Sequence, residues 1–150
     1  MFFSVFNWNQ KRSLPYPASF LFNLVLDIET YPQFLPQCQG VQILKRQKGS
    51  LKARLDIGFS MISTSFPSVV TWEKDKQILI TSAVGSFRSM QGTWRFQESK
   101  GQGSLVSLDI HIDFGSALKR MAFMPFVSFL TTGMIDAFEK RAQHLFEQKP

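Results

Sequence analysis

Cysteine is almost missing from this chain. Cys38 is the only one, so no disulfide can close within the chain, and a reducing compartment fits. Histidine is nearly as scarce. His111 and His144 are the only candidates for a base at neutral pH, and with one cysteine elsewhere no metal-ligand spacing emerges. Asp109, His111 and Asp113 alternate and could share one strand face, but solvated strand polarity explains them better than catalysis or a metal. No glycine-rich loop opens a helix. Gly101-Gln102-Gly103 reads as a hairpin turn, so nucleotide binding is not expected. Nor is there a nucleophile elbow beside a base. No window approaches the roughly 18 uninterrupted apolar residues of a spanning helix. The apolar opening, Met1 to Phe6, is too short for a secretory signal, and Lys11 and Arg12 follow it, reversing the usual order. As a short mitochondrial presequence it would be atypical.

Phenylalanine is present in excess. Sixteen Phe stand against two Tyr and three Trp, within an ordinary hydrophobic share of 44%. Such rings bring bulky apolar surface without a polar handle, which suits a wide core or a lipophilic cavity. The 150 residues make one domain, large enough to bury a real core. A net charge of +6 and a pI near 9.7 suit an anionic partner, phospholipid or RNA. The seventeen cations form no tract, however, and a plain solvated surface looks the same. DNA is not among the expected partners.

The apolar periodicity changes along the chain. Residues 1–12 are poorly patterned and read as a loose extension, with a short strand around Lys11–Tyr16; the domain proper is expected over 13–147. Phe20, Leu21, Leu24, Val25 and Ile28 form a helical stripe after Pro17, and Glu29–Leu35 reads as a second short helical turn. From Val41 to Phe114 the period is two. Leu51 to Phe59, Met90 to Phe96 and Leu108 to Phe114 alternate apolar with polar residues, with further strands over 41–48, 62–72 and 78–84. The short turns between them predict antiparallel neighbours, and Pro67 predicts an edge or a bulge. The last stretch, Leu118 to Phe146, reads as a long amphipathic helix carrying Phe126, Leu130, Met134, Phe138, Ala142 and Leu145, bent or restarted at Pro125. Its first part is apolar on nearly every side, and that excess covers a core, a ligand or a membrane surface. The predicted architecture is α+β: a curved antiparallel sheet of about six or seven strands around a long C-terminal helix, with two short helices near the N-terminus.

Several segments also resemble a known family. Asp27-Ile28-Glu29-Thr30-Tyr31-Pro32-Gln33-Phe34-Leu35-Pro36-Gln37-Cys38 is similar to the D-x-E-x-Y-P-x-F-L-P-W-C segment of the bacterial ribosome-association toxins, which are homologous to mitochondrial coenzyme Q-binding proteins. Matches follow at Ala53–Phe59, Gly85-Ser86-Phe87, Gly92–Phe96 and Asp136–Ala142, with Gln37 and Ser86 departing from the family's Trp and Pro. The resemblance implies a START-like helix-grip fold enclosing a lipophilic tunnel, with no catalytic cofactor. It implies ubiquinone or a similar isoprenoid lipid as bound ligand in support of respiration, or, alternatively, binding to the large ribosomal subunit that blocks subunit joining. An enzyme of polyketide-cyclase type ranks third.

Carried onto this sequence, the tunnel residues would be Tyr31, Pro32, Phe34, Leu35, Pro36, Phe87, Trp94, Met121, Met124, Phe126, Leu130 and Met134. Tyr31 is expected to offer its hydroxyl to a quinone carbonyl. Lys119, Arg120 and Phe123 are expected to dock on an anionic membrane surface. That places the protein in the bacterial cytoplasm, peripheral to the inner membrane, or on the matrix side in a eukaryote.

Overall fold

Alternating stretches become strands, and the meander falls where the two-residue period predicts it. The computed structural model describes residues 4–59, 62–83, 87–101, 103–128, 131 and 133–147. Seven strands form: β1 Val5–Leu14, β2 Cys38–Gln47, β3 Ser50–Phe59, β4 Ile62–Glu73, β5 Gln77–Ser82, β6 Ser89–Glu98 and β7 Ser104–Asp113. All pairings are antiparallel, in the order β1-β7-β6-β5-β4-β3-β2. Gly49, at φ 75°, lets β2 turn straight into β3, a backbone state costly for any residue with a Cβ.

Consecutive strands β1 and β2 lie on opposite edges, so the chain between them must cross the sheet. It does so as helix α1, Ala18–Leu26, followed by a 3-10 helix, Ile28–Gln33. At about 1.5 Å per α residue and about 2 Å per 3-10 residue, the pair reaches roughly 25 Å, close to the width of a curved seven-stranded sheet. The apolar face of α1 buries Leu21, Phe22, Leu24 and Val25, and Phe22 meets Phe96 of β6 edge-on at 5.9 Å. The Ala18 amide at the helix start donates to Glu98 Oε1 at 2.9 Å, placing a carboxylate on the positive end of the helix.

Two expectations need correcting. Residues 5–12 do not belong to a loose extension: β1 pairs with β7 over its whole length, from Val5↔Asp113 to Leu14↔Ser104. Its inward positions run Phe6, Trp8, Gln10, Arg12, Leu14, so two polar residues hide the alternation. Arg12 is covered because it donates to Asp136 at 2.6 Å and to Glu139 at 2.8 Å across the sheet edge. The closing stretch restarts beside Pro125, as its sequence predicts: it comes as α2 Ala117–Ala122, α3 Met124–Ser128 and α4 Met134–Glu147, with Pro125 next to the break between α2 and α3. Finally, Pro67 lies in an interior strand. Pairing of β4 with β5 begins one residue later, at Ser68↔Ser82, so Pro67 sits where β5 has just ended and its missing N–H costs no ladder bond.

Candidate functional site

The curled sheet, the 3-10 helix and the last two helices enclose an apolar cavity of about 130 Å³. Its floor comes from inward positions of β3 to β7: Leu55, Ile57, Phe66, Val70, Ile80, Ser82, Met90, Gly92, Trp94, Leu108 and Ile110. Ile28, Tyr31, Leu35 and Cys38 close one side; Phe126 of α3 with Met134 and Phe138 of α4 close the other. A dry engineered cavity of about 150 Å³ holds a benzene ring. The space as closed therefore fits a ring, while a long tail must leave through the wall.

Of the predicted tunnel residues, Tyr31, Leu35, Trp94, Phe126 and Met134 line this cavity. Phe34 does not reach it. It packs edge-on against Tyr31 and Phe138, with the Arg141 guanidinium 5.3 Å from its ring centre. Pro36 joins Phe34, Lys140, Arg141 and His144 in an outer groove, and Pro32 is exposed. Phe87 is buried away from the cavity between Phe114 and Phe123, at 4.7 Å from each. Met121 and Met124 face outward, 70% and 40% exposed. Leu130 lies outside the described residues. Phe123 is turned inward by its contact with Phe87, whereas Leu118 is 78% exposed. Lys119 and Arg120 sit in the last turn of α2.

Ser82, Cys38, Phe138 and most of the strand residues were not among the predicted tunnel residues. Their signal was present for the strands, in the inward half of each alternation, and for Phe138 in the helical spacing from Met134. Nothing in the pattern marked Ser82 or Cys38.

The ionisable groups on the wall are tied up. Tyr31 donates its hydroxyl to the Val25 carbonyl, one of the last four of α1 and so lacking a partner within the helix. That hydrogen is not free for a quinone carbonyl, which corrects the expectation for Tyr31. Burial drives its phenol pKa upward, Cys38 and Asp27 adding to the effect. Burial also pushes the Cys38 thiol up to about 11, against the lowering effect of a hydrogen bond with the Gly40 backbone. Neither group is a base or nucleophile near neutral pH. On the opposite sheet face, Asp109 accepts from Asn9 and Arg95, His111 contacts Asn7, and Asp113 accepts from Ser4 and the Gly115 amide. Each member of that trio has its own local partner. No cluster of three or more potential metal ligands occurs among the described residues.

The profile of the family described as polyketide cyclase / dehydrase and lipid transport matches residues 14–139. The chain belongs to this family. Among its relatives, the ribosome association toxin RatA of Pseudomonas aeruginosa is 30% identical, with 89% of this chain and 92% of the toxin aligned. The mitochondrial coenzyme Q-binding protein COQ10 of Dictyostelium discoideum is 27% identical over 90% of this chain and 68% of its own length. In fold, a Streptomyces aromatase/cyclase superposes with a TM-score of 0.81 at 15% identity, covering 93% of this chain and 94% of the enzyme. The START-like helix-grip architecture is thus shared with a solved aromatase/cyclase, and the fold by itself does not fix the chemistry.

Proposed function

We propose that this chain is a non-catalytic carrier of a lipophilic quinone, ubiquinone being the candidate, and that it supports respiratory electron transport from the membrane surface. The observation that carries this reading is the ring-sized apolar cavity, whose ionisable wall groups are held neutral by burial. A cyclase would need a titratable group poised over its substrate. Likeness to a coenzyme Q-binding relative adds support. No described helix is long and apolar enough to cross a membrane. Loading is assigned to α2 and α3, where Leu118, Met121 and Met124 are exposed beside Lys119 and Arg120. Each cation near an anionic surface contributes on the order of 1 kcal/mol, and the apolar side chains add their burial. In this arrangement Phe123 is a hinge contact to the core instead of a dipping ring. The test is organic extraction of protein purified from a quinone-producing host, followed by mass spectrometry. A long-tailed quinone is the expected extract; phospholipid alone, or nothing, rejects the reading.

A second reading, association with the large ribosomal subunit, is favoured by the likeness to the toxin and by one spatial feature. Four cations close in sequence share the β2–β3 hairpin, where exposed Lys45 stands directly opposite exposed Lys52, with Arg46 and Lys48 adjoining. Like charges facing across a ladder are unfavourable, so an anionic partner would relieve them. Lysines on an edge strand also deter sheet-to-sheet aggregation, which needs no partner. Co-migration with the large subunit in sucrose gradients, abolished by Lys45→Glu/Lys48→Glu/Lys52→Glu, would put this reading first.

A further inference from the structure

The cavity wall carries one buried hydroxyl pair. Ser68 on β4 and Ser82 on β5 stand opposite each other, 1% and 6% exposed, with their oxygens 2.7 Å apart. Ser68 follows the inward period of its strand, between Phe66 and Val70, and Ser82 lines the cavity itself. Burying a hydroxyl is unfavourable unless it is bonded, and valine or alanine would fill either position without that cost. Two hydroxyls carry two hydrogens, and the bond between them uses one. With Ser68 donating to Ser82, the Ser82 hydrogen remains, and among the described residues no second acceptor engages it. Either hydroxyl can be the donor of this bond, and in the arrangement with Ser68 donating the donor capacity of Ser82 is left for the cavity.

The rest of the wall restricts what can accept that hydrogen. None of the lining residues is Lys, Arg, His, Asp or Glu, and the internal residues outside the described set include no ionisable side chain. A carboxylate or phosphate inside would be buried without a counter-charge. Ser82 also lies four residues along β5 from Ile78, the partner of Trp94, which separates the hydroxyl from the indole end by about 13 Å along the strand. From these features we infer that Ser82, backed by Ser68, is the hydrogen-bond anchor of the cavity. Its ligand is an elongated neutral lipophile bearing a carbonyl oxygen at the end that meets the last residue of β5. This deepens the carrier reading and rests on it.

The experiment measures displacement of bound phenylnaphthylamine from the full chain by decylbenzoquinone, decylbenzene and decanoate. The first two share a ring and tail and differ in the ring carbonyls. One neutral hydrogen bond corresponds to about a tenfold preference. The parent is expected to bind decylbenzoquinone about tenfold tighter than decylbenzene, with decanoate weakest. Ser82→Ala should erase that preference and leave decylbenzene affinity unchanged. Ser82→Cys, similar in size with a weak donor, should fall between, and Ser68→Ala should lose less than Ser82→Ala because the Ser82 hydrogen survives. Equal binding of the two ring compounds by the parent overturns the anchor while leaving a carrier, as does parallel weakening of both ring compounds in Ser82→Ala. Decanoate binding as tight as the quinone overturns the neutral-ligand assignment. If the parent binds none of the three, carrier and anchor fail together.

Discussion

Two parts of the closing segment have much the same apolar appetite and opposite fates. Helix α4 buries Ile135, Phe138 and Ala142, and Phe138 packs edge-on against Tyr31, Phe34 and Trp94 at 5.1–5.3 Å. Helix α2 buries no residue at all, and leaves Leu118 and Met121 mostly exposed. Composition does not separate them. The difference is position: α4 lies across the mouth of a curved sheet that already needs a cover, while α2 projects past the end of β7 with one inward ring, Phe123, to hold it. An apolar side chain is core only where the fold supplies a facing surface.

The sharpest way to break that contrast is Phe138→Ala. Removing a ring that contacts three others should destabilise the fold by about 3–5 kcal/mol, read from denaturant unfolding with an unchanged slope. A loss under about 1 kcal/mol would mean that α4 is no better anchored than α2.

Tyr31→Phe comes next, leaving the Val25 carbonyl without its donor at about 1–3 kcal/mol. The same residue gives the parent an alkaline signature. Its folded pKa is raised above the ordinary value of 10.0, so its contribution is complete below that value and is lost as pH rises past it, because only the unfolded chain can release the proton. Stability measured from neutral to strongly alkaline pH should therefore fall off more steeply in the parent than in Tyr31→Phe. Parallel curves would show that the phenol is not buried as described.

Arg12→Ala tests what fastens α4 to the sheet edge. Arg12 is 26% exposed, but its partners Asp136 and Glu139 are 58% and 43% exposed, so solvent screens the pair and the expected loss is about 0.5–1 kcal/mol. Thermal unfolding should show it, and added salt should shrink the difference between parent and variant.

The smallest effect on stability belongs to Met121→Asp and Leu118→Asp, each within about 0.5 kcal/mol of the parent. These same variants should lose flotation with anionic liposomes. If they unfold, the comparison collapses and α2 is core. If they stay folded and still float as well as the parent, α2 and α3 are not the loading surface.

How much of this was legible beforehand depended on whether an inward position was apolar. Strands β3, β6 and β7 announce themselves because every second residue faces the core and is greasy. Strand β1 does not, because two of its inward positions are the polar Gln10 and Arg12, the latter satisfied by Asp136 and Glu139 far away in sequence. For the site, Tyr31, Leu35, Trp94, Phe126 and Met134 were readable, while the spacing of Met121 and Met124 could not say which side of the helix would find a partner.

Local chemistry by itself determined the element types apart from β1, the antiparallel meander and the restart at Pro125, since backbone sterics and side-chain period act within a few residues. Tertiary structure alone decided that β1 and β2 take opposite edges, that Arg12 meets Asp136 and Glu139, and that Ser68 and Ser82 share a hydrogen bond inside an apolar wall. The reason is physical. A hydroxyl's cost, a charge's neighbour and a cavity's volume depend on what faces them across the sheet, and chain order does not specify that until the sheet has closed.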